Sequence, residues 1–196
     1  METVKTRILK TLLKDLAIKP TITLLSGELG ISRVGLWKVL KKLEVEKLIT
    51  LSQVGTGKTS TYTVNLNWEN PILEKILSLS LTENAMKNQR WISNFAELED
   101  HVDFLIIYGS ILHSPREAND LDIMAVVDKQ SFKQVNEIIN KIQKTQEKKI
   151  HLIDLTEMEL KKELINKNKA YIDAIKKGVI LFGQDNLIKF IENLKK

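Results

Sequence analysis

Tyr108-Gly109-Ser110 and Asp120-Leu121-Asp122 are the groups of this chain best suited to chemistry, with nine residues between Ser110 and Asp120. An apolar run, Phe104 to Ile107, leads into the first group, and another, Ile123 to Val127, follows the second. Side chains alternate along a strand, so Asp120 and Asp122 share a face. Two carboxylates that close repel each other unless a cation sits between them. Magnesium takes oxygen ligands and bridges to phosphates, which suits this pair. Gly109 lets backbone approach a phosphate chain with no side chain in the way, while Ser110 offers a hydroxyl and a helix amino terminus to phosphate oxygens.

The elements that must position these groups follow from hydrophobic periodicity. The order is strand Val102–Tyr108, a Gly-Ser turn with a short helix, strand Leu121–Val127, helix Ser131–Thr145, strand Ile150–Leu155, helix Glu157–Lys176, strand Val179–Phe182 and helix Asn186–Lys195. Met124 and Val126 continue the carboxylate face as apolar residues, so the pair sits at the mouth of a buried strand. Gly-Ser, a spacer and Asp-x-Asp in this frame resemble the nucleotidyltransferases of the DNA polymerase β superfamily, above all their minimal stand-alone members. The likeness covers residues 99–196 and includes Lys177-Gly178-Val179-Ile180-Leu181-Phe182-Gly183, similar to the short C-terminal strand of those proteins.

The resemblance implies a mixed sheet flanked by helices and a nucleoside triphosphate, with ATP expected, held by Gly109 and Ser110. It also implies two magnesium ions on Asp120 and Asp122 that assist in-line displacement of pyrophosphate. The acceptor is undetermined, and a partner protein is one option, as in the toxin–antitoxin pairs of the stand-alone members. A third carboxylate is usual in the family, in the strand that here reads Lys149-Ile150-His151-Leu152-Ile153-Asp154-Leu155. Central alignment puts His151 there; Asp154 lies three residues later and, by alternation, on the opposite face. A neutral imidazole is a poorer magnesium ligand than an oxygen. Either a bulge recruits Asp154 as the third catalytic carboxylate beside Asp120 and Asp122, or the site works with two, or the domain senses a nucleotide without turning it over. The spacer before Asp120 is short, Asn119 stands where a serine is common, and Arg116 reads as a solvent-exposed loop arginine.

Charge is uneven along the chain. Residues 1–68 hold 11 Lys and Arg against 5 Asp and Glu, whereas residues 69–196 hold 19 against 20. A basic first third suits a polyanion partner. Ile8, Leu9, Leu12, Leu13 and Leu16 predict a helix over residues 3–18 that Pro20 stops, and a short helix over Leu24–Leu29 ends at Gly30. Ser32 caps a third helix with Leu36, Leu40 and Leu43 inward and Arg33, Lys38, Lys41 and Lys42 outward. Alternating runs Leu48–Gln53 and Ser60–Leu66 make a hairpin.

Leu29 to Leu43 resembles the helix-turn-helix of biotin-repressor-type regulators, and with the hairpin it implies a winged helix-turn-helix over residues 1–68. By that likeness the helix capped by Ser32 enters the major groove of double-stranded DNA, with Lys58 in the wing near a phosphate. Winged helices also dock proteins. Trp37 is expected to pack against the wing rather than stack on a base. Gly55-Thr56-Gly57-Lys58-Thr59 is not a phosphate-binding P-loop, because Ser52 takes the place of its first glycine and a strand pattern follows.

Residues 69–98 read as a helical connector in which Trp91 and Phe95, four apart, pack on the second domain or across a homodimer interface. The fold class expected is therefore α+β, a winged helix-turn-helix joined to a polymerase-β-like mixed sheet over residues 99–196. The chain has no cysteine, and its three histidines are scattered, so a cysteine zinc site is excluded. No apolar leader or membrane-length run is present, which places the expected protein in the cytoplasm and off the membrane.

Overall fold

The computed structural model describes residues 3–16, 20–55 and 60–195, and the chain divides into two compact units, Met1–Ser80 and Leu81–Lys196. In the first unit, helix α1 (Val4–Lys14) starts where the Thr3 side chain accepts the Thr6 N–H, and it buries Ile8, Leu9, Leu12 and Leu13. It ends before the expected residue 18; residues 17–19 lie outside the described residues. Helix α2 (Ile22–Leu29) begins earlier than the apolar pattern indicated because Thr21 caps it, and Gly30 closes it in the left-handed region at φ 65°.

Helix α3 (Arg33–Val45) is capped by Ser32, whose hydroxyl accepts the Gly35 N–H at 3.1 Å, and buries Leu36, Leu40 and Leu43. Strands β1 (Ile49–Val54) and β2 (Thr61–Leu66) pair antiparallel, Ile49 opposite Leu66. Trp37 packs on this hairpin, its ring centroid 5.1 Å from that of Tyr62, as the sequence suggested. Lys14, at the end of α1, is pushed down to about 8, first by burial and then by Lys10.

Helix α4 (Pro71–Met86) contains the boundary between the units. Helix α5 (Gln89–Phe95) and a 3-10 turn, Ala96–His101, follow, and Trp91, Phe95 and Leu98 join the core of the second unit. The stretch read as a connector thus supplies core side chains. The second unit continues with β3 (Phe104–Tyr108), β4 (Asp120–Val126), α6 (Phe132–Gln143), β5 (Lys149–Leu155), α7 (Glu157–Ile165), α8 (Lys169–Lys177), β6 (Val179–Phe182) and α9 (Gln184–Lys195).

The four-stranded sheet has the order β5-β4-β3-β6, with β4–β5 parallel and the other pairs antiparallel. It is a mixed sheet flanked by helices. One face carries Leu121, Ile123 and Ala125 against Val135, Ile139 and Ile142 of α6; on the other, Phe104 meets Phe190 of α9 at 5.9 Å between centroids. Where one helix over Glu157–Lys176 was expected there are two. Lys167 takes φ 56°, and the Asn168 side chain caps α8 by accepting the Ala170 N–H, so two asparagines and a left-handed lysine end one helix and start the next. No helix among the described residues is long and apolar enough to cross a membrane.

Candidate active site

The site grows from the register of three strands. Tyr108 of β3 lies opposite Asp122 of β4, and Asp122 lies opposite His151 of β5, so the three side chains form a row across one face. Asp120 shares that face, two residues along β4 and opposite Lys149. Burial rises sharply behind the pair: Asp120 and Asp122 are partly exposed, and Ile123 to Val126 are fully buried. The pair therefore sits at the mouth of a buried strand.

His151 points at both carboxylates. Its Nδ1 is 3.3 Å from Asp120 Oδ2 and 3.6 Å from Asp122 Oδ1, and one donor atom from each of the three residues falls within 4.8 Å of the others. Burial, then the neighbouring Asp120, raises the Asp122 carboxyl above the ordinary aspartate value, while His151 acts in the opposite sense. Tyr108 is pushed up to about 12, first by burial, then by Asp122, then by Tyr171 of α8. It is a neutral phenol across the physiological range, a donor beside a carboxylate.

Gly109 holds φ 83°, a conformation L side chains rarely adopt, and a Cβ there would lie 2.3 Å from Asp122 Oδ2. The glycine is needed twice over, for its backbone angle and for the space beside the carboxylate. Ser110 is exposed and opens a 3-10 turn of only three residues, Ser110–Leu112. The helix amino terminus expected there is too short to act as one; the contribution left to Ser110 is its hydroxyl and local amides.

Asp154 does not join the group. The β4–β5 register runs unbroken from Asp120 opposite Lys149 to Val126 opposite Leu155, so no bulge turns Asp154 round. It faces the α6 side, where its carboxylate accepts a hydrogen bond from Asn136 Nδ2 at 2.7 Å. The geometry replaces Asp154 by His151 as the third group near Asp120 and Asp122. Asn119 and Arg116 are exposed in the loop before β4.

Two residues that sequence reasoning passed over fix this loop and strand. Lys148 Nζ donates to the Ala118 carbonyl, tying the entry of β5 to the residues just before Asp120. Gln143, at the end of α6, donates to the Lys148 carbonyl at 3.1 Å and accepts the Ile150 N–H at 2.7 Å, next to His151. Neither has a sequence signal, since both act through pairings that only the fold creates.

In the first unit, Arg33, Lys38 and Lys42 stand exposed on α3. Lys41 is engaged: it donates to Glu44 at 2.8 Å and lies 4.8 Å over the Trp37 ring. Ser32 is committed to its cap, and Lys58 lies outside the described residues.

No curated protein and no solved structure matches the chain. Residues 90–186, just under half of its length, match the family model described as Polymerase beta, Nucleotidyltransferase, and the mixed sheet with its flanking helices fits a domain of that kind.

Proposed function

We propose that the second unit transfers a nucleoside monophosphate from a nucleoside triphosphate, with ATP the expected one, to an acceptor hydroxyl whose carrier is undetermined, a partner protein being one option. The observation that carries this reading is the convergence of Asp120, Asp122 and His151 beside a Gly-Ser turn whose glycine lies against Asp122. Asp120 and Asp122 would hold a divalent cation, which when bound offsets triphosphate charge and the charge that develops at the α-phosphorus. Their oxygens fit that role; the His151 imidazole is not the oxygen that magnesium prefers.

The chain's own groups hold the nucleotide. Ser110 donates its hydroxyl to a phosphate oxygen, Gly109 keeps the space beside Asp122 open, and Tyr108 donates without adding charge. The acceptor oxygen bonds to the α-phosphorus as the bond from that phosphorus to the bridging oxygen breaks in line; pyrophosphate leaves with the electron pair, and the acceptor proton passes to solvent.

The first unit, in this proposal, is a winged helix-turn-helix that binds double-stranded DNA through Arg33, Lys38 and Lys42 on α3. Support comes from the capped, basic α3 followed by a hairpin, and from the positive excess of residues 1–68. His151 in place of a carboxylate favours a second reading, a DNA-binding transcriptional regulator whose other unit only senses a nucleotide. Incubating the full chain with labelled ATP, a divalent cation and cell lysate separates the two. Label on an acceptor with release of pyrophosphate, both lost in Asp120→Asn, supports transfer. A nucleotide-dependent change in DNA affinity with no pyrophosphate supports sensing and overturns transfer.

A further inference from the structure

The disagreement between the donor set and magnesium is itself informative. Asp120, Asp122 and His151 offer two carboxylate oxygens and one imidazole nitrogen. Adjacent corners of an octahedron with bonds of about 2.1 Å are about 3.0 Å apart. The 3.3 and 3.6 Å from His151 Nδ1 to the two carboxylates exceed that edge by about 0.3 and 0.6 Å, and all three side chains are exposed enough to close it by rotation. All three donor atoms fall within 4.8 Å of one another, so with small rotations they would take one face of such an octahedron and leave the opposite face to phosphate oxygens or water. The alternative oxygen, that of Asp154, is turned to the α6 side and bonded to Asn136.

Oxygen-only sets suit magnesium, whereas imidazole suits the transition ions. We infer that His151 Nδ1 is the third ligand of a facial Asp120–Asp122–His151 site that selects a single later first-row ion, of the iron, cobalt or zinc type, over magnesium. The inference rests on the nucleotidyl-transfer reading of the same site but concerns which ion it takes. Nδ1, the nitrogen nearer the carboxylates, is the ligating atom, and Nε2 is left to solvent.

Every N/O site prefers transition ions to magnesium to some degree, so the preference attributable to His151 is the part that substitution removes. The metal-free full chain is titrated with Co2+ and with Mg2+ by equilibrium dialysis, following the visible absorption of cobalt for nitrogen ligation. One equivalent of cobalt is expected, bound about 100-fold more tightly than magnesium.

His151→Ala should weaken cobalt by about 10-fold or more and leave magnesium within a few-fold, while His151→Asp should lower the cobalt-to-magnesium ratio about 10-fold by strengthening magnesium. Asp122→Asn should lose both ions. An unchanged ratio in both His151 variants overturns the inference, as does wild-type protein that binds no cobalt or binds it without a nitrogen signature. Circular dichroism checks that each variant is folded, and the two His151 substitutions serve as independent tests. Should cobalt bind as described while pyrophosphate release is absent with every ion, transfer fails and the ion selectivity stands; should pyrophosphate be released while both His151 variants keep the wild-type cobalt-to-magnesium ratio, transfer stands and the selectivity fails.

Discussion

On α3, Arg33, Lys38 and Lys42 each stand in solvent, whereas on β4 and β5 the donors of Asp120, Asp122 and His151 meet within 4.8 Å. The first surface is a set of independent charges on a helix held by its apolar stripe of Leu36, Leu40 and Leu43. The second is a single arrangement in which three groups share one space, and the carboxyl of Asp122 is raised by burial first and then by Asp120, with His151 opposing. Independent charges should lose function additively. A shared site should lose it nearly at once.

The largest effect expected is at the shared site. Asp122→Asn should lower pyrophosphate release by more than about 100-fold, because each lost ligand weakens ion binding and charge stabilisation together. The double change Asp120→Asn with Asp122→Asn should cost little beyond either single change. Multiplying losses would break the comparison.

Gly109→Ala comes next. Its Cβ would fall 2.3 Å from Asp122 Oδ2 at a φ of 83°, so activity should drop steeply and denaturant unfolding should show a loss of about 1–3 kcal/mol. Unchanged activity and stability would mean that the turn relaxes away from Asp122.

For α3, DNA affinity measured against salt should lose about one unit of logarithmic slope for Lys38→Ala and again for Lys42→Ala, the two adding in the double variant. Lys41→Ala should matter less, since Glu44 and Trp37 already engage that ammonium. Affinity independent of salt would remove the phosphate-contact reading altogether.

The smallest effect concerns Lys14. Its ammonium releases a proton at about 8 in the folded chain against 10.5 for the ordinary group. Between those values the unfolded chain holds more protons than the folded one, so stability should rise as pH climbs from about 8 to about 10.5. Amide hydrogen exchange across Met1–Ser80 should follow this rise, and Lys14→Met should flatten it while protecting the unit more at neutral pH.

Much of the site was legible because strand parity is a local property. Asp120 and Asp122 had to share a face, Met124 and Val126 had to bury it, and Asp154 had to point away from His151. What parity cannot supply is the neighbour across the sheet. That His151 lies opposite Asp122 depends on parallel pairing across α6, and the bond from Lys148 to the Ala118 carbonyl depends on the same long-range register. The break between α7 and α8 escaped for a different reason: Leu160, Leu164, Ile172 and Ile175 maintain an approximately helical spacing straight through it. Asn166 and Asn168, which end one helix and cap the next, are its only mark in the sequence. Ser110 was assigned a helix terminus that three residues cannot provide.

Parallel pairing of β4 with β5 also sets when the site comes into being during folding. Asp120 and Asp122 are near neighbours in any extended chain, but His151 reaches them only after the polypeptide has run out through α6 and returned alongside β4. Closing that excursion costs chain entropy before any contact across it repays the cost, which puts it among the slow, non-local steps of assembly. An ion that needs all three donors therefore meets no partly folded competitor. Such an ion would not template the sheet or help chains stalled before α6 docks; it would act afterwards, as a latch on a topology already complete.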